Sequence, residues 1–327
     1  MADVARVAGV SHQTVSRVLN DAERVRPETR ERVLSAMREL DYRPNPVARA
    51  LVTGRSRTLG VVSFDTTLYG PASTLFGIER AAHAAGYFVS IVSVTALDRA
   101  SVLTAVERLR GQGVDGILLI TPQEAAAQAV VHVPAGMPVV AVEAGPVEAV
   151  PVVAVDQFAG AVAATRHLLE LGHRTVWHIA GPADFLEARE RIDGWQSALE
   201  AAGADVPPVL SGDWSARSGY ELGQRLATVS DVTAVFAAND QMALGMLRAL
   251  HEVGRHVPRD ISIVGFDDIP EAQFFIPPLT TVRQDFNEMG RQSLMLLLSE
   301  IGASERSSSR VIVEAELMVR SSTAPPP

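Results

Sequence analysis

Four polar residues near the N-terminus, His12, Gln13, Ser16 and Arg17, have the types and spacing needed to read nucleic-acid bases. Glutamine can bond adenine through two atoms, arginine can bond guanine or a phosphate, and serine can bond either. On a helix these residues share the outer face near its start. A second polar set lies far along the chain, beside short apolar runs. Glu143 falls in the run Pro138–Ala144, Asn239 follows Ala234–Ala238, Asp267 follows Ile261–Phe266, and Gln284 precedes a helix. Arg191 and Trp214 occupy connections nearby. Carboxylate, amide and guanidinium groups around an aromatic plate suit a polyhydroxylated ring, bonding its hydroxyls and stacking on its C–H face.

Catalytic chemistry is not indicated. The run His251-Glu252-Val253-Gly254-Arg255-His256 is one residue too long for a zinc helix motif. His173 and His178 are five apart at a strand start and point to opposite faces. There is no Gly-x-Ser-x-Gly, Walker loop or Gly-x-Gly-x-x-Gly, and no cysteine. The expectation is a non-enzyme with no cofactor, no metal and no catalytic residue.

The elements that would position the first set are short helices. Asp3–Ala8 reads as a helix closed by Gly9, and Ser11 can cap a second one through Leu19. Ala5, Ala8, Val10, Val15 and Val18 form the small apolar seam that lets two helices cross closely. A third helix begins at Pro27, with Val33, Met37 and Leu40 on one face and Arg26 as a weak cap. After Pro44 and Pro46, Val47–Leu51 is barely two helical turns and marginal alone in water. Charge divides along the same line. Residues 1–58 carry a net +4 and the remainder a net −13, as expected when only the head approaches polyphosphate.

The body reads as parallel strands buried on both faces. Apolar runs at 59–64, 87–94, 116–121, 138–144, 151–155, 175–180, 234–238 and 261–266 alternate with helical stretches at 75–85, 100–112, 158–171, 192–202 and 241–253. The pattern restarts near Gln157, implying two doubly wound halves with a ligand cleft between them. The fold class is therefore α/β, an all-α helix-turn-helix head on a body of two parallel-sheet subdomains.

The run Asp3-Val4-Ala5-x-x-Ala8-Gly9-Val10-Ser11-x-x-Thr14-Val15-Ser16-Arg17 resembles the head of the lactose-repressor (LacI/GalR) family of bacterial transcription regulators. The likeness continues through Ala180-Gly181-Pro182, Gly212–Ser215, Ala238–Gly245 and Pro277–Thr281. It implies a periplasmic-binding-protein-like body. It also implies that the segment around Leu51 is a hinge helix pairing across a dimer and wedging that leucine into the minor groove, with Asn45 and Ala48 at contact positions. The resemblance divides the chain into a head at 1–44, a hinge and linker at 45–58, and an effector-binding body at 59–327. Within the body, the first subdomain takes about 59–156 and 284–310, and the second about 157–281 and 311–320. It places Leu68, Arg191, Trp214, Asn239, Asp267, Gln284 and Phe286 at effector-pocket positions. Phe64 and Glu187 stand where the family's type member has serines, Ile120 where it has asparagine, and Glu143 where it has aspartate. A site so altered would choose a different ligand.

The resemblance thus implies a repressor of carbohydrate-utilisation genes, released from a near-palindromic operator in double-stranded DNA by a mono- or disaccharide. A corepressor-dependent regulator and a sugar-binding protein without regulatory DNA binding are the alternatives. No apolar window of membrane-spanning length and no secretory signal are visible, so a cytoplasmic location without membrane partner is expected. The family generally carries a few more residues before the position of Asp3, so Met1 reads as a late or trimmed start. Ala324–Pro327 reads as a frayed tail. The C-terminal residues Arg320–Pro327 contain no leucine heptad, which leads to a homodimer. Light scattering should give twice the chain mass, and a stable tetramer would refute this.

Overall fold

A computed structural model describes residues 1–20, 25–43, 54–64, 66–94, 98–130, 132–134, 136–145, 150–303 and 307–327. The hinge positions Asn45, Ala48 and Leu51 lie outside the described residues. The chain divides into two compact units, Met1–Arg57 and Thr58–Pro327.

In the first unit, α1 (Ala2–Ala8), α2 (His12–Asn20) and α3 (Pro27–Glu39) enclose a small core of Val4, Ala5, Ala8, Val15, Val18, Val33 and Ala36. Gly9 ends α1 in the left-handed conformation at φ 63°, and its N–H bonds back to the Ala5 and Arg6 carbonyls. Ser11 caps α2 by accepting a bond from the Thr14 N–H at 3.2 Å. Arg26 starts α3 with no side-chain cap, and Pro27 takes the first helical position. Leu40 departs from expectation. It follows the last helical residue, leaves the helical spacing and is 39% exposed, so Ala36 and Tyr42 make the contact instead.

The described residues of the second unit contain twelve strands. They are β1 (Thr58–Phe64), β2 (Phe88–Val94), β3 (Gly116–Ile120), β4 (Val139–Val142), β5 (Val152–Val155) and β6 (Trp177–Ala180). Then follow β7 (Leu210–Ser211), β8 (Ala234–Ala237), β9 (Ser262–Asp267), β10 (Thr280–Gln284), β11 (Arg310–Val313) and β12 (Ala315–Met318). The first sheet has the order β11-β5-β4-β3-β1-β2, parallel throughout. The second has the order β12-β10-β9-β8-β6-β7, parallel except for the antiparallel edge β12. Every residue of β3, β4, β5, β8 and β9 is buried, which is why these strands read as unbroken apolar runs.

Helix starts differ from the apolar periodicity. The helix expected from Leu75 begins at Tyr69, with Pro71 in a first turn that has no partner for its N–H anyway. The helix expected from Ile192 begins at Leu186. The helix Ala216–Ala227 has no clear apolar periodicity in the sequence because its buried face is Gly219, Leu222, Gly223 and Leu226, half of it without side chains.

Among the described residues the chain passes between the halves three times, around Asp156, Asp285 and Glu314. The last passage lies beyond the expected 310. Val311 and Val313 align with Val153 and Val155, so the first sheet gains an edge strand before β12 begins in the second. Asp156 and Asp285 each cap the helix that follows, accepting bonds from Ala159 N and Glu288 N at 2.8 and 2.9 Å. The C-terminal tail is not frayed at Ala324. Its N–H donates to Ser262 Oγ and its carbonyl accepts from His173 Nε2, both at 3.0 Å.

His178 lies wholly buried in the second half, stacked on Phe236 and Trp195 at 4.6 and 5.4 Å, with Nδ1 2.9 Å from the Phe236 carbonyl. Burial, opposed in part by that carbonyl, lowers its pKa to about 4. Between about pH 4 and 6.5 the unfolded chain therefore binds the proton more strongly than the native protein. Stability from this group is full above 6.5 and falls as the pH drops through that window, by roughly 3 kcal/mol. A His178→Phe variant should show a flatter acid limb in urea denaturation; an unchanged slope would contradict the assignment.

Candidate functional site

The outer face of α2 carries the first polar set. His12, Gln13 and Arg17 are exposed and Ser16 is half-buried, while Val15 and Val18 turn into the core. The turn before α2 is held from behind, because Arg32 of α3 donates to the Gly9 carbonyl at 3.4 Å. A rigid turn presenting the first residues of a helix is the geometry by which such helices meet base edges in a major groove.

In the body, a cavity of about 300 Å³ lies between the two halves, at the C-terminal ends of their strands. Leu68, Glu143, Arg191, Trp214, Asn239, Asp267, Gln284 and Phe286 line it. Phe64 does not line it; half-buried at the end of β1, it packs against the apolar cores of both halves.

Arg191 is the centre of the polar wall. Its side chain is 2% exposed and its guanidinium carbon lies 3.9 Å from the Phe266 ring centroid and 5.5 Å from that of Trp214. Such contacts suit a desolvated guanidinium. Its Nε donates to Gln157 Oε1 at 2.9 Å, and Nη1 donates to the Ala238 carbonyl. Gln157 Nε2 donates to Gln284 Oε1 at 2.9 Å, and Gln284 Nε2 donates to Asp267 Oδ1 at 2.7 Å. Arg191 Nη2 stands 3.8 Å from Asp267 Oδ1, closing the circuit by charge, beyond hydrogen-bond distance. Burial lifts Asp267 to about 7; Arg191 opposes this and the Glu187 charge adds to it. Gln157 and Gln284 sit at two of the passages between halves, so this ring ties the cavity wall to the connections about which the halves would move.

Asn239 has a supporting role. Its Oδ1 caps the helix Asp240–Glu252 through Met242 N at 2.9 Å, and its Nδ2 holds the Trp214 carbonyl at 3.0 Å. The Trp214 ring also rests against Gly181, where an added methyl would come within 2.2 Å of the indole. Glu143, Trp214 and Asp267 have φ of 58°, 70° and 108°, conformations that cost non-glycine residues about 1–3 kcal/mol and concentrate at ligand sites. Gln157 joins these residues without having been expected at the site, although it follows a strand end like its partners. Thr74 and Gln241 also line the cavity; they lie inside helices, where strand-end reasoning does not look.

Among the described residues no helix is long and apolar enough to cross a membrane, and no cluster of His, Cys, Asp or Glu could hold a metal ion. A Gln157→Ala change removes one partner each from Arg191 and Gln284 inside the protein. It should destabilise the body by about 1–3 kcal/mol, read by urea denaturation, and weaken any ligand that touches Arg191. A loss below about 0.5 kcal/mol, within the range of an ordinary surface change, would mean the ring is not a unit.

Comparison with known proteins agrees with this geometry. Residues 1–45 match the model for bacterial regulatory proteins of the lacI family, and residues 165–323 match a periplasmic binding protein-like domain. The HTH-type transcriptional repressor PurR of Haemophilus influenzae is 36% identical over 98% of this chain and 97% of its own. The HTH-type transcriptional regulator CelR of Thermobifida fusca is 38% identical over 98% of this chain and 96% of its own. The solved Lac repressor dimer bound to operator and the anti-inducer ONPF superposes with a TM-score of 0.87 at 35% identity, covering 98% of both chains. These relatives are regulators and not enzymes. The chain belongs to the lacI family of bacterial regulatory proteins and is a DNA-binding transcriptional regulator that responds to a small-molecule effector.

Proposed function

We propose that this regulator is a cytoplasmic, homodimeric repressor of carbohydrate-utilisation genes, released from a near-palindromic operator by a mono- or disaccharide. The observation that carries the reading is the cavity of about 300 Å³, whose wall brings together an indole plate and a buried Arg191–Asp267 pair. That combination offers stacking for a sugar ring and directional partners for its hydroxyls. A solved CelR complex with cellobiose, 35% identical over 98% of both chains with a TM-score of 0.73, supports a sugar as the ligand.

In this reading Arg191, Asp267 and Glu143 bond the sugar, Trp214 and Phe286 stack on it, and Leu68 closes over it. Asn239 and Gln284 orient these partners, and Phe64 acts as a bearing between the halves. His12, Gln13, Ser16 and Arg17 read base edges, and Asn45, Ala48 and Leu51 act at the minor groove at the operator's centre. Closing the cleft on sugar shifts one half against the other and separates the paired hinges. Coupling is reciprocal, so operator must weaken the sugar by the same factor that sugar weakens operator.

Fluorescence anisotropy with labelled operator tests the reading. Affinity should fall steeply with salt, as several phosphate contacts require, and fall again on addition of the cognate sugar. Trp214→Ala should abolish the sugar response while leaving sugar-free operator binding intact. Tighter binding with sugar would reverse the sign and establish a corepressor. Salt-insensitive, negligible DNA binding would overturn the repressor reading.

A further inference from the structure

Two carboxylates of the cavity are unnecessary for stacking or for balancing Arg191. Glu143 follows β4 in the first half, and Glu187 lies in the first turn of the second-half helix Leu186–Ala201. Both are half-buried, and both line the cavity, one from each half. Arg191 is the one cation lining it among the described residues, and its donors already serve Gln157, Ala238 and Asp267. Glu143, Glu187, Asp213 and Asp267 thus surround a space containing a single guanidinium.

The two glutamates sense one another. Burial lifts the Glu143 carboxyl to about 8, and the Glu187 charge pushes it the same way, with Arg191 opposing. Burial likewise raises Glu187. The cavity wall also contains polar atoms with no partner among the described residues. The Thr74 hydroxyl belongs to a side chain 1% exposed, and the Trp214 indole N–H to one 6% exposed. Buried polar atoms of this kind cost free energy until something bonds them. The wall therefore calls for a ligand rich in hydroxyls, beside carboxyl groups that outnumber the one cation.

We propose that Glu143 and Glu187 select the effector by charge. The cavity takes a non-anionic carbohydrate whose hydroxyl or ammonium protons reach both carboxylates, and it turns away sugar phosphates and sugar acids. This rests on the reading of the cavity as a sugar site. A donor bridging the two groups lowers the repulsion between the halves as they close. An anion would have to enter beside two carboxyls whose mutual repulsion already favours holding a proton, in a partly desolvated space where repulsion is poorly screened. Specificity of this kind comes from rejection as much as from attraction.

The experiment is calorimetry on the full chain with matched sugar sets: glucose, glucosamine, glucuronate and glucose 6-phosphate, and cellobiose beside its phosphate and acid forms. Every sugar that binds should be neutral or an amine, with its anionic counterpart weaker by on the order of tenfold or more. Tighter binding of glucosamine than glucose assigns the ammonium; the reverse assigns hydroxyls. At pH 9, where Glu143 is largely ionised, Glu143→Gln and Glu187→Gln, which keep shape and remove charge, should each narrow the gap against anions. An anion bound as tightly as its neutral parent, or a gap unchanged in both variants, would overturn the proposal.

A ligand-free measurement stands beside it. In carboxyl ¹³C NMR, Glu187→Gln should lower the titration midpoint of Glu143. An unmoved midpoint would overturn the proposal whatever binds. Binding confined to amines or polyols that are not carbohydrates would defeat the sugar reading while upholding the charge rule.

Discussion

A guanidinium held out of water is the constraint around which the body is organised. Removing Arg191 from solvent costs several kcal/mol unless its charge and donors are met on all sides. The protein meets them with an aromatic ring beneath, a carboxylate at 3.8 Å, an amide oxygen and a strand-end carbonyl. These partners come from β9, the helix beginning at Gln157 and the end of β8, so the ion fixes the strand ends of the second half relative to one another. Its position also decides what the cavity can be. The remaining guanidinium edge, the free Asp267 oxygen and the Trp214 plate face a space that a ring bearing hydroxyls can fill.

The same ring of bonds explains how occupancy of the cavity can reach the rest of the chain. Gln157 and Gln284 bond each other, and each begins or ends a passage between the halves. A ligand that draws Arg191 or Asp267 toward itself pulls on both passages at once. The halves themselves are stiff, with β3, β4, β5, β8 and β9 buried at every residue and close-packed helices, so displacement concentrates at the connections. The strained backbone of Glu143, Trp214 and Asp267 is consistent with sites held in place by their surroundings.

Much of this was legible in the residues. The central strands announced themselves because burial on both faces demands uninterrupted Val, Ile, Leu and Ala, as in Gly116–Ile120 and Val139–Val142. Gly9 and Ser11 marked the turn between α1 and α2 through backbone requirements that few residues satisfy. Polar residues just past strand ends led to the cavity wall, since parallel strands open their ligand sites there. What stayed hidden depends on three-dimensional neighbours. No local pattern says that Asn239 spends its amide on a helix cap and on the Trp214 backbone, or that Phe64 serves two cores. The edge strand β11 belongs to the other half from the one the resemblance implies, because an edge is decided by which sheet it pairs with. The tail looked frayed because its anchors, Ser262 and His173, are remote in sequence.

The central claim is that a carbohydrate binds between the halves and is held by the Arg191–Asp267 pair. A crystal structure of the chain with its tightest-binding sugar tests this most directly. The account predicts hydroxyls within hydrogen-bond distance of Arg191 Nη2 and Asp267, with the sugar ring stacked on Trp214. A sugar seated elsewhere, or one in the cleft that leaves both groups untouched, would contradict it.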